Sequence, residues 1–350
     1  MDRKIILAVS SALLVLVVVL AGLLLLFANR GTVNLLNIIS PPQQQVNNTQ
    51  GSTTSKTPQA TADADYAARR AEALDCRYGI GRDVDMLEAE RILTELTDEG
   101  DAVAAAHLFT QIVIGLHPYS RREEADEIWR KASDELYELS ESGDLEAGFA
   151  VACAYKGVDE EKSWSLFMDR LTNRCVEEGF IPGILLRAEL LMKGRHLEQD
   201  RYESIRLYQM CVDMDCVAAM TRLGNINMSV DYPEHDMELG RAMLEQAGER
   251  GDPDAWYQLV YREWTDEMDA ATRDRVELHL RKAWKCGEIG ASIRLVKLLL
   301  DDSGPAPDLV ECRRIMDEIG PELSIAPPDD DNRLLYDECA AELEQLEGGR

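Results

Sequence analysis

Positive charge is scarce in this chain. Lysine and arginine together number 37 against 65 aspartate and glutamate residues, a formal net charge of -28 over 350 residues. A surface so acidic repels phosphate backbones and anionic headgroups, which excludes nucleic acid as a partner. Histidine is equally sparse: His107, His117, His196, His235 and His279 lie scattered, with no His-x-x-x-His pair and no glutamate-paired zinc motif. Neither a Gly-x-Ser-x-Gly elbow nor a phosphate-cradling glycine loop occurs, so no catalytic residue, metal ligand or cofactor site is assigned and an enzyme is not expected. The eight cysteines show no paired Cys-x-x-Cys spacing and read as small core residues. Cys211 and Cys216 flank one turn and form the only local pair in which a bridge is worth testing.

What the chain does have begins at its amino terminus. Residues 5–28, "IILAVSSALLVLVVVLAGLLLLFA", are 24 residues without a charge. As a helix rising about 1.5 Å per residue they span a hydrocarbon core of about 30 Å. No small-x-small cleavage site of quality follows, which points to an uncleaved signal anchor inserted in the lipid bilayer. Arg3 and Lys4 precede the run and only Arg30 closely follows it. That bias keeps the tail 1–4 in the cytoplasm and exports the rest, which in a bacterium means a single-pass inner-membrane protein with a periplasmic domain. The bias is small, and the reversed topology, with the repeats in the cytosol, stays open. Residues 29–63 are rich in Pro, Gln, Asn, Ser and Thr and nearly empty of large apolar residues, a composition that predicts a disordered stalk. "NNT" at Asn47 and "NMS" at Asn227 fit a glycosylation sequon, which matters only in a eukaryotic lumen.

Beyond the stalk one pattern recurs. Gly143, Gly179, Asp215, Gly251 and Gly287 stand 36 residues apart, and Gly100 begins the same pattern upstream. Four residues after each comes a small side chain: Ala104, Ala147, Gly183, Ala219, Ala255 and Ala291, with Ala68 as the equivalent of an earlier unit. The single long step, 43 residues between Ala104 and Ala147, is accounted for by the enlarged loop "GLHPYSRREEA". A small residue at a fixed place in every unit implies two helices crossing so closely that a larger side chain would hold them apart. Four residues further on, Leu108, Val151, Leu223, Leu259 and Leu295 keep the spacing of a buried helix face, while Glu72 and Arg187 break it. Each unit therefore reads as helix A, a loop and helix B, with Gly closing one hairpin and Asp or another short residue starting the next. The expected architecture is all-α: about seven stacked helix-turn-helix repeats over 64–323, with a capping helix and tail over 324–350.

The 36-residue unit, with Ala219, Leu223 and Gly224 in "AMTRLGNINM" and Ala147, Tyr155 and Gly157 in "AGFAVACAYKG", resembles the Sel-one-like repeat, a relative of the tetratricopeptide repeat. The resemblance implies a right-handed α-solenoid with helix A lining a concave surface, and an adaptor that holds other proteins, often at the bacterial envelope. One cysteine-rich branch with a disulfide in each repeat is linked to β-lactam-like compounds, and this chain lacks that regular pair.

The repeat register also suggests a binding face. Arg222, Gln258 and Arg294 occupy one position in consecutive units, with Asn225, Arg262 and Lys297 nearby. Such a stripe could clamp a protein partner through a peptide or anionic segment. Trp256 and Tyr261, in the same crowded helix as Tyr257 and Trp264, could add contact area. The opposing reading pairs these arginines with local acids such as Glu263 and Glu288 and leaves the aromatics as packing. A scaffold for a protein partner is the preferred expectation; a receptor for a small molecule or cell-wall fragment, with at most weak hydrolase activity, is the alternative.

Overall fold

The computed structural model describes residues 58–114, 120–154, 162–232, 235–265, 268–301, 306–327 and 329–348. These residues form fifteen α-helices and no strand, with one isolated antiparallel bridge between Ile80 and Cys216. In chain order they are α1 Pro58–Tyr78, α2 Met86–Asp98, α3 Ala102–Ile114, α4 Arg122–Glu141, α5 Leu145–Ala154, α6 Lys162–Glu178, α7 Ile181–Lys193 and α8 Arg201–Asp213. They continue as α9 Val217–Asn227, α10 Met237–Glu249, α11 Pro253–Glu263, α12 Ala270–Lys285, α13 Ile289–Leu300, α14 Leu309–Leu323 and α15 Asp331–Gly348. Among the described residues no helix is long and apolar enough to cross a membrane. The apolar run 5–28, the tail before it, most of the linker, and Tyr155 and Gly157 lie outside the described residues. The described part of α1 starts at Pro58, inside the segment whose composition suggested a linker.

Each helix packs on the next, and some odd-numbered helices also touch the next odd-numbered one, as α3 with α5, α9 with α11 and α13 with α15. That contact pattern defines a stack of helical hairpins, in which each unit buries its apolar face against its neighbours. The caps follow the sequence closely. Asp85, Asp200, Asp236, Asp252, Asp269 and Asp308 each accept a backbone N–H at a helix start. At the hairpin closures Gly100, Gly143, Gly179, Gly251 and Gly287 have φ between +73° and +96°, and Asp215 takes the same left-handed region at φ 59°.

The small residues sit where the steric argument requires. Ala104, Ala147, Ala219, Ala255 and Ala291 are 0% exposed, and each is the third residue of its helix. Gly183, third in α7, shows what they pack against: a Cβ added there would lie 2.2 Å from Cys175 Sγ and 2.5 Å from Cys175 Cβ, on helix α6 of the preceding hairpin. Ala68 departs from the pattern and is exposed. The small site faces the helix B before it, and no described hairpin precedes α1, so Ala73 and Cys76 supply the buried contacts of that helix instead. At the expected apolar positions Leu108, Val151, Leu223, Leu259 and Leu295 are all at most 5% exposed. All eight cysteines are free thiols, including Cys211 and Cys216, which are buried in one cluster around Tyr208 and Leu223.

The Gly183→Ala variant tests the close crossing. Helix propensity alone favours alanine by about 1 kcal/mol, whereas forcing a methyl into this contact costs about 1–3 kcal/mol. The net expectation is a loss of stability, read as a lower denaturant midpoint. A stabilised variant would disprove the crossing.

Candidate functional site

The A helices of six successive hairpins turn one face towards a shared cavity of about 650 Å³. Gln111 of α3, Phe149 and Cys153 of α5, Leu185 and Glu189 of α7, Ala218 and Arg222 of α9, Asp254 of α11 and Gly290 of α13 all line it. The expected groove is thus present, but it is not open along its length. The connection between α1 and α2, residues 79–85, runs as a strap against hairpins more than 130 residues away. Val217 N–H donates to Gly79 O at 3.1 Å, Gly81 N–H to Asp215 O at 3.1 Å and Val84 N–H to Arg250 O at 2.8 Å. Arg250 adds side-chain bonds to Arg82 O at 2.8 Å, Asp83 at 3.2 Å and Asp215 at 2.5 Å. At the other end Ser120 N–H donates to Glu322 at 3.3 Å. The first and later hairpins therefore meet, and Tyr78, Val84 and Met86 join the cavity wall.

Of the residues the register singled out, Arg222 lines this cavity, with its guanidinium 2.6 Å from Asp254 of the next hairpin. Gln258 Nε2 donates to the same carboxylate at 3.0 Å. Arg294 donates to Gly290 O and to Asn332 Oδ1, each at 3.0 Å, and lies 5.1 Å over the Tyr257 ring. Arg262 reaches back to Asn225 Oδ1 at 2.8 Å, and Lys297 pairs with Glu338 and Glu342 of α15. Trp256 is buried, stacked on His279 at 5.4 Å beneath Lys282, with Gly248 against its indole. Tyr261 is 71% exposed and is not part of the cavity wall. Only Arg222 of the stripe lines the cavity, and the stripe's arginines are tied to neighbouring acids and carbonyls.

Two acids stand out instead, Asp252, which the sequence marks as a helix start, and Glu288, which it offers as an arginine partner. Asp252 and Glu288, one repeat apart, cap α11 and α13 and both line the cavity. Asp252 accepts Thr221 Oγ1–H at 2.6 Å and Asp254 N–H at 3.0 Å; Glu288 accepts Gly290 N–H at 3.1 Å. Burial pushes the Asp252 carboxyl up to about 6, against the pull of the Thr221 hydroxyl and Arg222. The Glu288 carboxyl is also pushed up by burial, opposed by the Gly290 N–H. The signal was available as the acid after each glycine in "GD" and "GE", 36 residues apart.

A folded-state pKa above the unfolded value near 3.9 means that this carboxyl's contribution to stability falls as pH rises from about 4 to about 6. Asn caps helices as well as Asp. Asp252→Asn is therefore expected to raise stability at pH 7 by about 1 kcal/mol, with the gain vanishing below about pH 4. Denaturation midpoints at pH 7 and 3.5 check both signs.

The described residues place no group of three or more His, Cys, Asp or Glu side chains so as to hold a metal ion. The class defined by these features is an α-helical repeat stack curved around a partly open, mixed polar and apolar cavity. No family model and no curated protein matches the chain. Among solved structures it is similar to c5321, described as a protective antigen of uropathogenic Escherichia coli displaying an SLR fold, at 14% identity and TM-score 0.42. That match covers 82% of this chain and 66%, just under two thirds, of the other. A Sel1 repeat protein from Oxalobacter formigenes matches at 15% identity and TM-score 0.36, over 75% of this chain and 89% of its own. The repeat reading stands on the 36-residue register and the helix pairing themselves.

Proposed function

We propose that the chain is a membrane-anchored interaction scaffold, not an enzyme, whose repeat domain holds a segment of a protein partner in its central cavity. The run 5–28 is the anchor, the following stalk holds the domain off the bilayer, and the repeats face the periplasm of a bacterial envelope. The observation that carries this reading is the cavity itself: six repeats direct the same helix face into one shared, partly open space. A photo-crosslinking residue at Leu185, on the wall, tests it against one at Tyr202, which is 76% exposed. A saturable protein adduct from position 185 and none from 202 supports the proposal; adducts from 202 alone overturn it. A reporter fused after Arg350, active in one compartment only, tests the membrane side.

The cavity volume also favours a second reading, since small-molecule sites span about 300–1,000 Å³. A receptor for a cell-wall fragment predicts a thermal shift with glycan, peptide or β-lactam ligands and no protein adduct from position 185.

A further inference from the structure

The charge of the cavity is opposite to that expected of a clamp for anions. Five carboxylates line it, those of Glu189, Asp252, Asp254, Glu288 and Glu322, against two guanidiniums. Both guanidiniums are already engaged: Arg222 with Asp254, and Arg77 over the Tyr78 ring at 5.5 Å. On the acidic side Asp254 is matched by Arg222 and Glu189 by Lys193 at 2.6 Å. Asp252 and Glu288 are different. Their bonds are to a hydroxyl and to backbone N–H groups, with no ion pair at either among the described residues.

A separate feature of the same wall also lacks a donor. Gln111 is 3% exposed; its Nε2 donates to Met86 O at 2.8 Å, while its Oε1 has no hydrogen-bond partner among the described residues. A buried acceptor left without a donor is costly, and natural structures rarely retain one without reason. Two unmatched carboxylates and an orphaned amide oxygen on one cavity wall all demand the same complement, a cation rich in N–H donors. A guanidinium offers five such donors and is more weakly hydrated than an ammonium. The rings of Tyr78, Phe149 and Tyr208 on the same wall offer faces on which its plane and its alkyl stem can rest.

We propose that the cavity receives an arginine side chain of the partner's segment, with Asp252 and Glu288 supplying the counter-charge and Gln111 Oε1 a further acceptor. This rests on the reading of the cavity as the partner's docking place.

The test is calorimetric titration of the full-length chain with Ac-Ala-Arg-Ala-NH2, its neutral citrulline isostere, and Ac-Ala-Glu-Ala-NH2. The arginine peptide should bind, and the other two should bind at least tenfold more weakly. The Asp252→Asn/Glu288→Gln variant should lose at least tenfold in affinity for the arginine peptide. A variant removing two exposed charges away from the cavity, Glu123→Gln/Glu127→Gln, should lose less than twofold. If the first variant fails to fold, Gln111→Met is the second, with an expected loss of three- to tenfold. Equal binding of the citrulline peptide, or an equal loss in the outer variant, would show diffuse attraction to an acidic protein and overturn the proposal. So would absence of binding. A persisting Leu185 adduct alongside a silent arginine titration would sink the charge assignment alone, whereas loss of both would sink the docking reading with it.

Discussion

Arg70→Ala is expected to destabilise the amino-terminal hairpins by about 3–5 kcal/mol, the largest effect of any single substitution considered, because it strips the cation from a buried network. The Arg70 side chain is 12% exposed and bonds Asp101, which is 2% exposed, and Glu146 Oε2 at 3.0 Å, which is 19% exposed. His107 Nε2 lies 3.4 Å from the other Glu146 oxygen. Asp101 is already committed as the cap of α3, accepting N–H groups from Val103 and Ala104 at 3.0 and 2.9 Å. One guanidinium thus joins α1, the turn before α3, and α5. Burial opposes the charge on Glu146, but His107 and Arg70 outweigh it and hold its carboxyl below the usual range. With the folded value depressed, the stabilisation is fully present above the unfolded value near 4.3 and is lost as pH falls below it. The gap between wild type and Arg70→Ala in denaturant titrations should therefore be large at pH 7 and shrink below about pH 4. Arg70→Lys should recover only part, since an ammonium cannot bridge both carboxylates in the same fork. A loss under about 1 kcal/mol at pH 7 would mean that the network behaves as an exposed surface pair.

The repeats were legible because their signal is steric and local. A third-position Ala or Gly in each A helix records the approach of the preceding helix B, and that approach is set within one hairpin junction. Ala68 departs because the residue type recurs where no described hairpin precedes its helix. Of the arginine stripe only Arg222 lines the cavity, and the partners of its arginines could not be read by proximity in sequence. The acid that engages Arg222 is Asp254, 32 residues on, and Arg294 finds Asn332 38 residues on. Trp256 was ambiguous for the opposite reason: aromatic bulk suits a groove or a core, and the Gly248 that makes room for it sits on the neighbouring helix. Hardest to foresee was the strap. Whether residues 79–85 meet the turns at Asp215 and Arg250 depends on the small rotation per hairpin summed over four or five repeats, and no short motif encodes a sum.

Gly251→Ala should unlatch that strap at a loss of about 2–3 kcal/mol, and a matched control separates the two contributions. Gly251 has φ +91°, a conformation that costs an L-residue about 1–2 kcal/mol. A Cβ at this site would also stand 2.7 Å from Val84 O, a backbone atom with little freedom to yield. Relief requires the strap to withdraw, which breaks the Val84 N–H bond to Arg250 O and costs about 1 kcal/mol more. Gly143 closes an equivalent hairpin at φ +93° with nothing within 4 Å of its added Cβ. Gly143→Ala should thus show the conformational cost alone. Only Gly251→Ala should also accelerate hydrogen exchange at the amides of Gly81 and Val84, and only there should the cavity open to a probe larger than the wild-type space admits. Equal losses in the two variants, with unchanged exchange at Val84, would mean that the strap rests on the stack without holding it closed. The cavity would then be shaped by the helices alone, and its closure would owe nothing to the bonds that cross from the first hairpin to the fifth and its flanking turns.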